Sequence, residues 1–207
     1  MEKLLYIIRH GQTDLNREGI VQGRGIDAPL NETGKEQANA FYQAYRHESF
    51  DRIYTSRLQR TYQTIEPFVQ EGVPFERLEG LDEISWGIYE GKRQTPEIMT
   101  GFNSLISQWK NGELDVAVDQ GESPMQLIER QKLAMDYILS RKEERQVLIC
   151  MHGRAMRVLL AWLTGLDPAM MDTFPHTNTA LYKVQVKDGV NVVVDPYNIA
   201  HLAKLLH

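Results

Sequence analysis

The sequence predicts an α/β fold: a single domain over residues 1–207, with a mostly parallel mixed sheet and helices on both faces. Three observations predict it. Short apolar runs at residues 4–8, 52–54 and 146–151 alternate with stretches of helical periodicity, the alternation expected of crossover helices between parallel strands. Three segments open with a hydroxyl residue followed three positions later by Glu or Gln, a pairing that satisfies the free amides of a helix start. Near the C-terminus two β-rich runs flank Lys187-Asp188-Gly189, a hairpin signal that makes the sheet mixed. No Pro/Gly/Ser-rich linker or solenoid-length repeat interrupts the 207 residues, of which 42% are apolar, enough for one sizeable core.

In chain order, residues 4–8 form the first strand. The N-terminal stretch 1–8 lacks the basic flank, longer apolar run and cleavage site of a secretory signal, so the expected compartment is the cytoplasm. A helix is expected to start at Thr33 with Glu36, and another at Ser56 with Gln59, the latter presenting Leu58, Tyr62, Ile65 and Val69 on one face. Residues 98–109 suit an amphipathic helix through Ile98, Phe102, Leu105, Ile106 and Trp109, and periodicity is weak from there to Gln120. Ser123 with Gln126 opens the next helix, with Pro124 at its first position and Leu127, Ala134 and Ile138 on its apolar face. The strand 146–151 leads through Gly153 into a helix over 155–163, and the hairpin pairs 181–186 with 191–194.

Charge and cysteine content narrow the function. With 28 acidic residues against 23 Lys plus Arg, the net charge is −5, which disfavours nucleic acid and anionic membrane as partners. No apolar run is long enough to span a bilayer. The single cysteine, Cys150, excludes an internal disulfide and a thiolate zinc cage, and is expected to be a small buried residue. No heptad or other assembly signature sets an oligomeric state.

Two segments share one local pattern, an apolar strand running into His-Gly: Ile7-Ile8-Arg9-His10-Gly11 and Cys150-Met151-His152-Gly153. Ligands of open α/β sheets gather outside the carboxyl ends of strands, so both histidines belong at one rim. The strand 52–54 ends there too, with Arg60 in the first turn expected after Ser56. Two guanidiniums offer forked donors to a phosphoryl group, and an imidazole nitrogen can attack phosphorus. A lone strand-end histidine is more often structural; the pair, with Arg9 attached, points to chemistry. His47, His201 and His207 are expected to be solvated, whereas His176 could border the site.

These residues lie in five ordered blocks: Arg9-His10-Gly11-Gln12-Thr13 with Asn16; Gln22-Gly23-Arg24 through Gln37-Ala38; Ser56-Arg57-Leu58-Gln59-Arg60-Thr61; Glu83 through Gly91; and Gly121-Glu122-Ser123 with Met151-His152-Gly153. In this order the chain resembles the histidine phosphatase superfamily, which includes cofactor-dependent phosphoglycerate mutases. The resemblance implies a phosphoglycerate mutase-like fold and a metal-independent phosphomonoesterase of small organic phosphates, without a cofactor. It implies His10 as the nucleophile that becomes phosphohistidine, and Arg9, Arg60 and His152 as holders of the phosphoryl oxygens. Glu83 would be the proton donor, although read by itself it is a helix-cap or surface carboxylate. Asn16, Thr13, Gln22, Gly23 and Gly153 would line the substrate side, with Arg24 and the loop through Asp27. That loop, residues 23–30, is one residue longer than the family's commonest pattern. Glu90 reads as structural. The ester's identity stays open.

Two alternatives accompany the hydrolase: a mutase primed by a bisphosphoglycerate, and a non-catalytic phospho-ligand module. Only 29 residues, 92–120, separate Gly91 from Gly121. This is shorter than the water-excluding insertion usual in the mutases and favours hydrolysis. Retention of both His10 and Glu83 counts against the non-catalytic module.

Overall fold

The computed structural model describes residues 2–205, so the expectation for His207 falls outside the described residues. Along the chain run β1 (Glu2–Arg9), α1 (Asp14–Arg17), α2 (Glu32–Tyr45), β2 (Arg52–Thr55), α3 (Gln59–Gln70), β3 (Phe75–Arg77), α4 (Pro96–Lys110), α5 (Pro124–Ser140), β4 (Gln146–Met151), α6 (Gly153–Leu163), β5 (Leu181–Lys187) and β6 (Val190–Asn198). The sheet order is β3-β2-β4-β1-β5-β6. The first four of these strands are parallel, and β5 and β6 add antiparallel pairings, so the sheet is mostly parallel and mixed, as the sequence predicts. Among the described residues no helix is long and apolar enough to cross a membrane.

Period-2 alternation within the strands distributes side chains to two layers. Tyr6, Ile8, Ile53, Leu148 and Cys150 pack with Phe41 of α2 and with Ile65 and Phe68 of α3. Leu5, Ile7, Tyr54, Val147, Ile149 and Met151 pack on the other face with Leu127 and Ile138 of α5 and with Val158 and Leu159 of α6. Each fully buried Ile or Leu contributes about 1.5–3 kcal/mol. Cys150 is wholly buried among these side chains, and burial pushes its thiol pKa up. Trp109 belongs to the core beneath α4, stacked with Trp86 at 5.7 Å.

The strand register sets the site. Ile8 and Thr55 both pair with Cys150, and Arg9 pairs with Met151, so β1, β2 and β4 end side by side. His10 and His152, each one residue beyond the Arg9–Met151 pair, therefore emerge at the same level.

Local chemistry explains where helices begin. Ser123 and Gln126 form the expected capping box on α5, with Pro124 in its first turn. For α2 the cap is Asn31 rather than Thr33: its side chain accepts from Gly34 N, and Asn caps at least as well as Thr. The helix expected from Ser56 starts at Gln59, and Ser56 does not cap it. Asp27, from a distant loop, accepts from Gln59 N at 2.7 Å instead. Two elements escape the sequence reading: α1, four residues long with a Thr13/Asn16 capping box, and β3, a three-residue edge strand. His47 is exposed as expected. His201 is not solvated: it packs edge-on against Phe41 at 5.3 Å and hydrogen-bonds with Thr179 Oγ1 at 3.1 Å.

Ser123→Ala is expected to cost about 1 kcal/mol in urea denaturation, the usual loss of an N-cap hydroxyl. An unchanged midpoint would show that the capping box contributes nothing to the stability of α5.

Candidate active site

At the joined strand ends, a cavity of about 170 Å³ is lined by Arg9, His10, Asn16, Gln22, Arg60, Glu83 and Gly153, together with Ile20, Val21, Trp86, Gln94, Phe102, Arg154 and His176. His10 Nδ1 lies 2.7 Å from the carbonyl oxygen of Gly11. A carbonyl can only accept, so Nδ1 carries the proton and Nε2 holds the lone pair. Arg60 Nε approaches that nitrogen at 3.3 Å, while Arg60 Nη1 donates to the carbonyl of Ile26 at 2.7 Å. The rings of His10 and His152 are 5.1 Å apart. His152 Nε2 shares a 2.8 Å hydrogen bond with Ser56 Oγ, and its buried Nδ1 has no partner within the protein.

On the other side of His10, Arg9 Nη1 reaches both Nδ1 and the carbonyl of His176 at 3.1 Å, leaving its buried Nε unpartnered. A Cβ at Gly153 would stand 3.2 Å from the His176 ring and 3.3 Å from Arg9 Nε, so glycine serves close approach here. Asn16 Oδ1 accepts from Thr13 N at 3.2 Å and Asn178 Nδ2 at 3.3 Å, which leaves its amide N–H groups for the cavity. The Glu83 carboxylate accepts from the amides of Ala155 at 2.8 Å, Ile84 at 3.0 Å and Arg154 at 3.2 Å. It thus occupies the N-terminus of α6: the helix-cap reading of Glu83 holds in a literal sense, and the carboxylate still faces the cavity.

Electrostatics follow from burial. Desolvation first, then the charges of Arg60 and Arg9, hold His10 well below the ordinary histidine pKa. The same causes, with His10 added, depress His152. Both imidazoles are therefore neutral at physiological pH. Arg9 is lowered to about 10, mainly by burial and partly by Arg60, with Glu83 opposing, and so remains cationic. His176 is lowered to about 3 by burial and by Arg9, Arg157 and Arg154.

Most of the anticipated residues meet here, and His176 does border the cavity. Thr13, Gly23 and the fully buried His152 stand behind the lining. Thr13 Oγ1 accepts from Gln22 Nε2 at 2.8 Å, and a Cβ at Gly23 would fall 1.9 Å from the Glu90 carboxylate. Glu90 is structural as expected, accepting from Gly25 N and Trp86 N at 3.0 Å. Arg24 turns away to Glu79 at 2.6 Å, and Arg57 to Asp82 at 2.8 Å, so the 23–27 loop serves Arg60 and α3 more than the cavity.

Several participants escape the sequence reading. Arg130 donates to the carbonyls of Glu79, Gly80, Asp82 and Glu83 and clamps the segment that carries Glu83. Asn178 holds the His10 carbonyl at 3.0 Å, and Gln94 and Arg154 line the wall. Only Arg154, adjacent to Gly153, had a positional signal.

Fold and site together place the protein among the α/β phosphatases. The chain belongs to the histidine phosphatase superfamily, branch 1, whose family model matches residues 5–199. It is 26% identical over 201 residues to Phosphoserine phosphatase 1 of Hydrogenobacter thermophilus, covering 97% of this chain and 94% of the relative. It is 31% identical over 186 residues to the Yersinia pestis protein named "Probable phosphoglycerate mutase GpmB", covering 89% and 86%. Phosphoserine phosphatase of Entamoeba histolytica, solved in complex with phosphoserine, superimposes with a TM-score of 0.80 at 25% identity, covering 97% of this chain and 99% of that one.

The neutral buried histidines have a stability consequence. His201 is lowered from 6.5 to about 4 by burial, so between these values the unfolded chain binds a proton that the folded chain refuses. Stability is fully present above pH 6.5 and is lost as pH falls toward 4. The urea midpoint is expected to fall across that range, and less steeply in His201→Gln; identical slopes would count against a buried neutral His201.

Proposed function

We propose that the protein hydrolyses small phosphate monoesters through a phosphohistidine at His10. The observation that carries this reading is the orientation of the imidazole: Nδ1–H is held by the Gly11 carbonyl and the lone pair of Nε2 sits beside Arg60. Nε2 attacks phosphorus, the N–P bond forms as the P–O ester bond breaks, and Glu83 gives its proton to the departing alkoxide. Water then attacks phosphorus and passes a proton to Glu83, and the N–P bond breaks to release inorganic phosphate and neutral His10. During transfer the Gly11 carbonyl faces the ring's positive charge, and Arg9, Arg60 and His152 meet the equatorial oxygens, with Asn16 as a neutral donor. Two preorganised arginines, with His152 and Asn16 as neutral groups beside them, supply the electrostatic stabilisation that phosphoryl transfer needs, so the reading requires no metal.

Phosphate release from p-nitrophenyl phosphate is expected with chelator present. His10→Ala should abolish it, and an acid-labile, base-stable phosphoryl group should be trapped on the native protein alone; turnover surviving in the variant would remove His10 from its role. Glu83→Gln is expected to lower kcat about 10²–10⁴-fold on alkyl phosphates. With p-nitrophenyl phosphate, whose leaving group needs no proton, a burst of nitrophenol followed by slow turnover is expected. An equal loss on both substrate types, without a burst, would contradict the acid–base assignment.

A phosphoglycerate mutase is the second reading, favoured by the Yersinia pestis relative. Against it stands the short cover: the 29 residues 92–120 supply α4 and little else over the cavity. Efficient interconversion of 3- and 2-phosphoglycerate with bisphosphoglycerate present would reverse this ranking.

A further inference from the structure

Arg154 lies two residues beyond His152 and lines the cavity with Arg9, Arg60 and Glu83, yet the phosphoryl mechanism does not use its side chain. Its guanidinium is held over the rings of Trp109 at 5.7 Å and Trp86 at 6.0 Å, and its Nη1 meets Asp172 Oδ1 at 2.7 Å. That carboxylate is shared: Arg157 Nη1 lies 2.8 Å from the same oxygen and Lys110 Nζ 3.5 Å from the other. Three cations therefore surround one anion, and the surplus of positive charge borders the cavity. The Nε of Arg154 is buried and unpartnered. The position of the surplus is set by the main chain, since the amide of Arg154 donates to Glu83 Oε2 at 3.2 Å. Arg154 thus stands on the side where the leaving oxygen takes its proton, while a phosphoryl dianion is matched by Arg9 and Arg60.

We infer that Arg154 determines specificity by recognising a carboxylate on the alcohol portion of the ester, so that the enzyme prefers phosphorylated hydroxy acids to the phosphates of uncharged or amino alcohols. A guanidinium held by two indoles and an anion loses little freedom when it takes a second partner, and a planar fork suits a carboxylate. The small cavity, with Trp86 and Phe102 in its wall, suits a short-chain acid. The inference rests on the phosphomonoesterase reading above.

The test compares kcat/KM for O-phosphoserine and O-phosphoethanolamine, which differ only in the carboxylate, and for 3-phosphoglycerate and glycerol 3-phosphate. The carboxylate member of each pair is expected to be preferred at least about tenfold, largely through KM, the value of one charge-assisted contact. Arg154→Gln should bring both ratios close to one, and Arg154→Lys, which keeps the charge, should retain most of the preference. Wild-type ratios near one would overturn the inference, as would an equal fall for both members of each pair in Arg154→Gln, the mark of a purely structural latch. Should the Gln variant fail to fold, the wild-type ratios and the Lys variant decide: a Lys variant whose ratios match one another at unity overturns it. Absence of phosphate release from these esters and from p-nitrophenyl phosphate would instead overturn the hydrolase reading itself.

Discussion

Burying the Arg60 guanidinium beneath the strand ends costs free energy that compensating contacts must offset, and much of the site is arranged around that cost. Arg60 is wholly buried, and the contacts described for it are the Ile26 carbonyl and the lone pair of His10. Both are neutral acceptors. Its charge is balanced only at longer range, with Glu83 the largest acidic influence. Together with burial, this cation keeps the neighbouring imidazoles neutral and makes the pocket locally cationic, although the chain as a whole carries a charge of −5.

The same economy governs the N-terminus of α6. Helix starts often bind phosphate through their free amides. Here the amides of Arg154 and Ala155 are taken by Glu83, so an anion in the cavity meets side chains rather than these two amides. That division keeps the Glu83 carboxylate and the Arg60 guanidinium on separate supports: Glu83 on α6 and the Arg130 clamp, Arg60 on α3 and the Ile26 carbonyl.

What was legible in the sequence was what repeats or is strictly local. The strands at 4–8, 52–54 and 146–151, the capping box at Ser123 and the hairpin around Gly189 were readable because each is specified by a few neighbouring residues. The His-Gly pair was readable because two strands carry the same ending. Contacts made across the chain were not. Ser56 has the spacing of a cap, but its hydroxyl is claimed by His152, 96 residues away, and the cap it vacates is filled by Asp27. Arg130 lies on α5, and the four carbonyls it holds come from a segment far back along the chain. For β3 there was no signal, because a three-residue edge strand is held by β2 and not by its own pattern.

The 23–30 loop lies beside Arg60, which lines the cavity, and by position alone invites a part in choosing the substrate. In this protein it is part of the chassis. Its Ile26 carbonyl holds Arg60, its Asp27 caps α3, and Gly23 is packed on Glu90. Exchanging it would move Arg60 before it reshaped the rest of the cavity. The replaceable wall lies opposite, where Gln94, Phe102 and Arg154 face the cavity from the side of α4 and α6. Variation in this enzyme's diet has more room there.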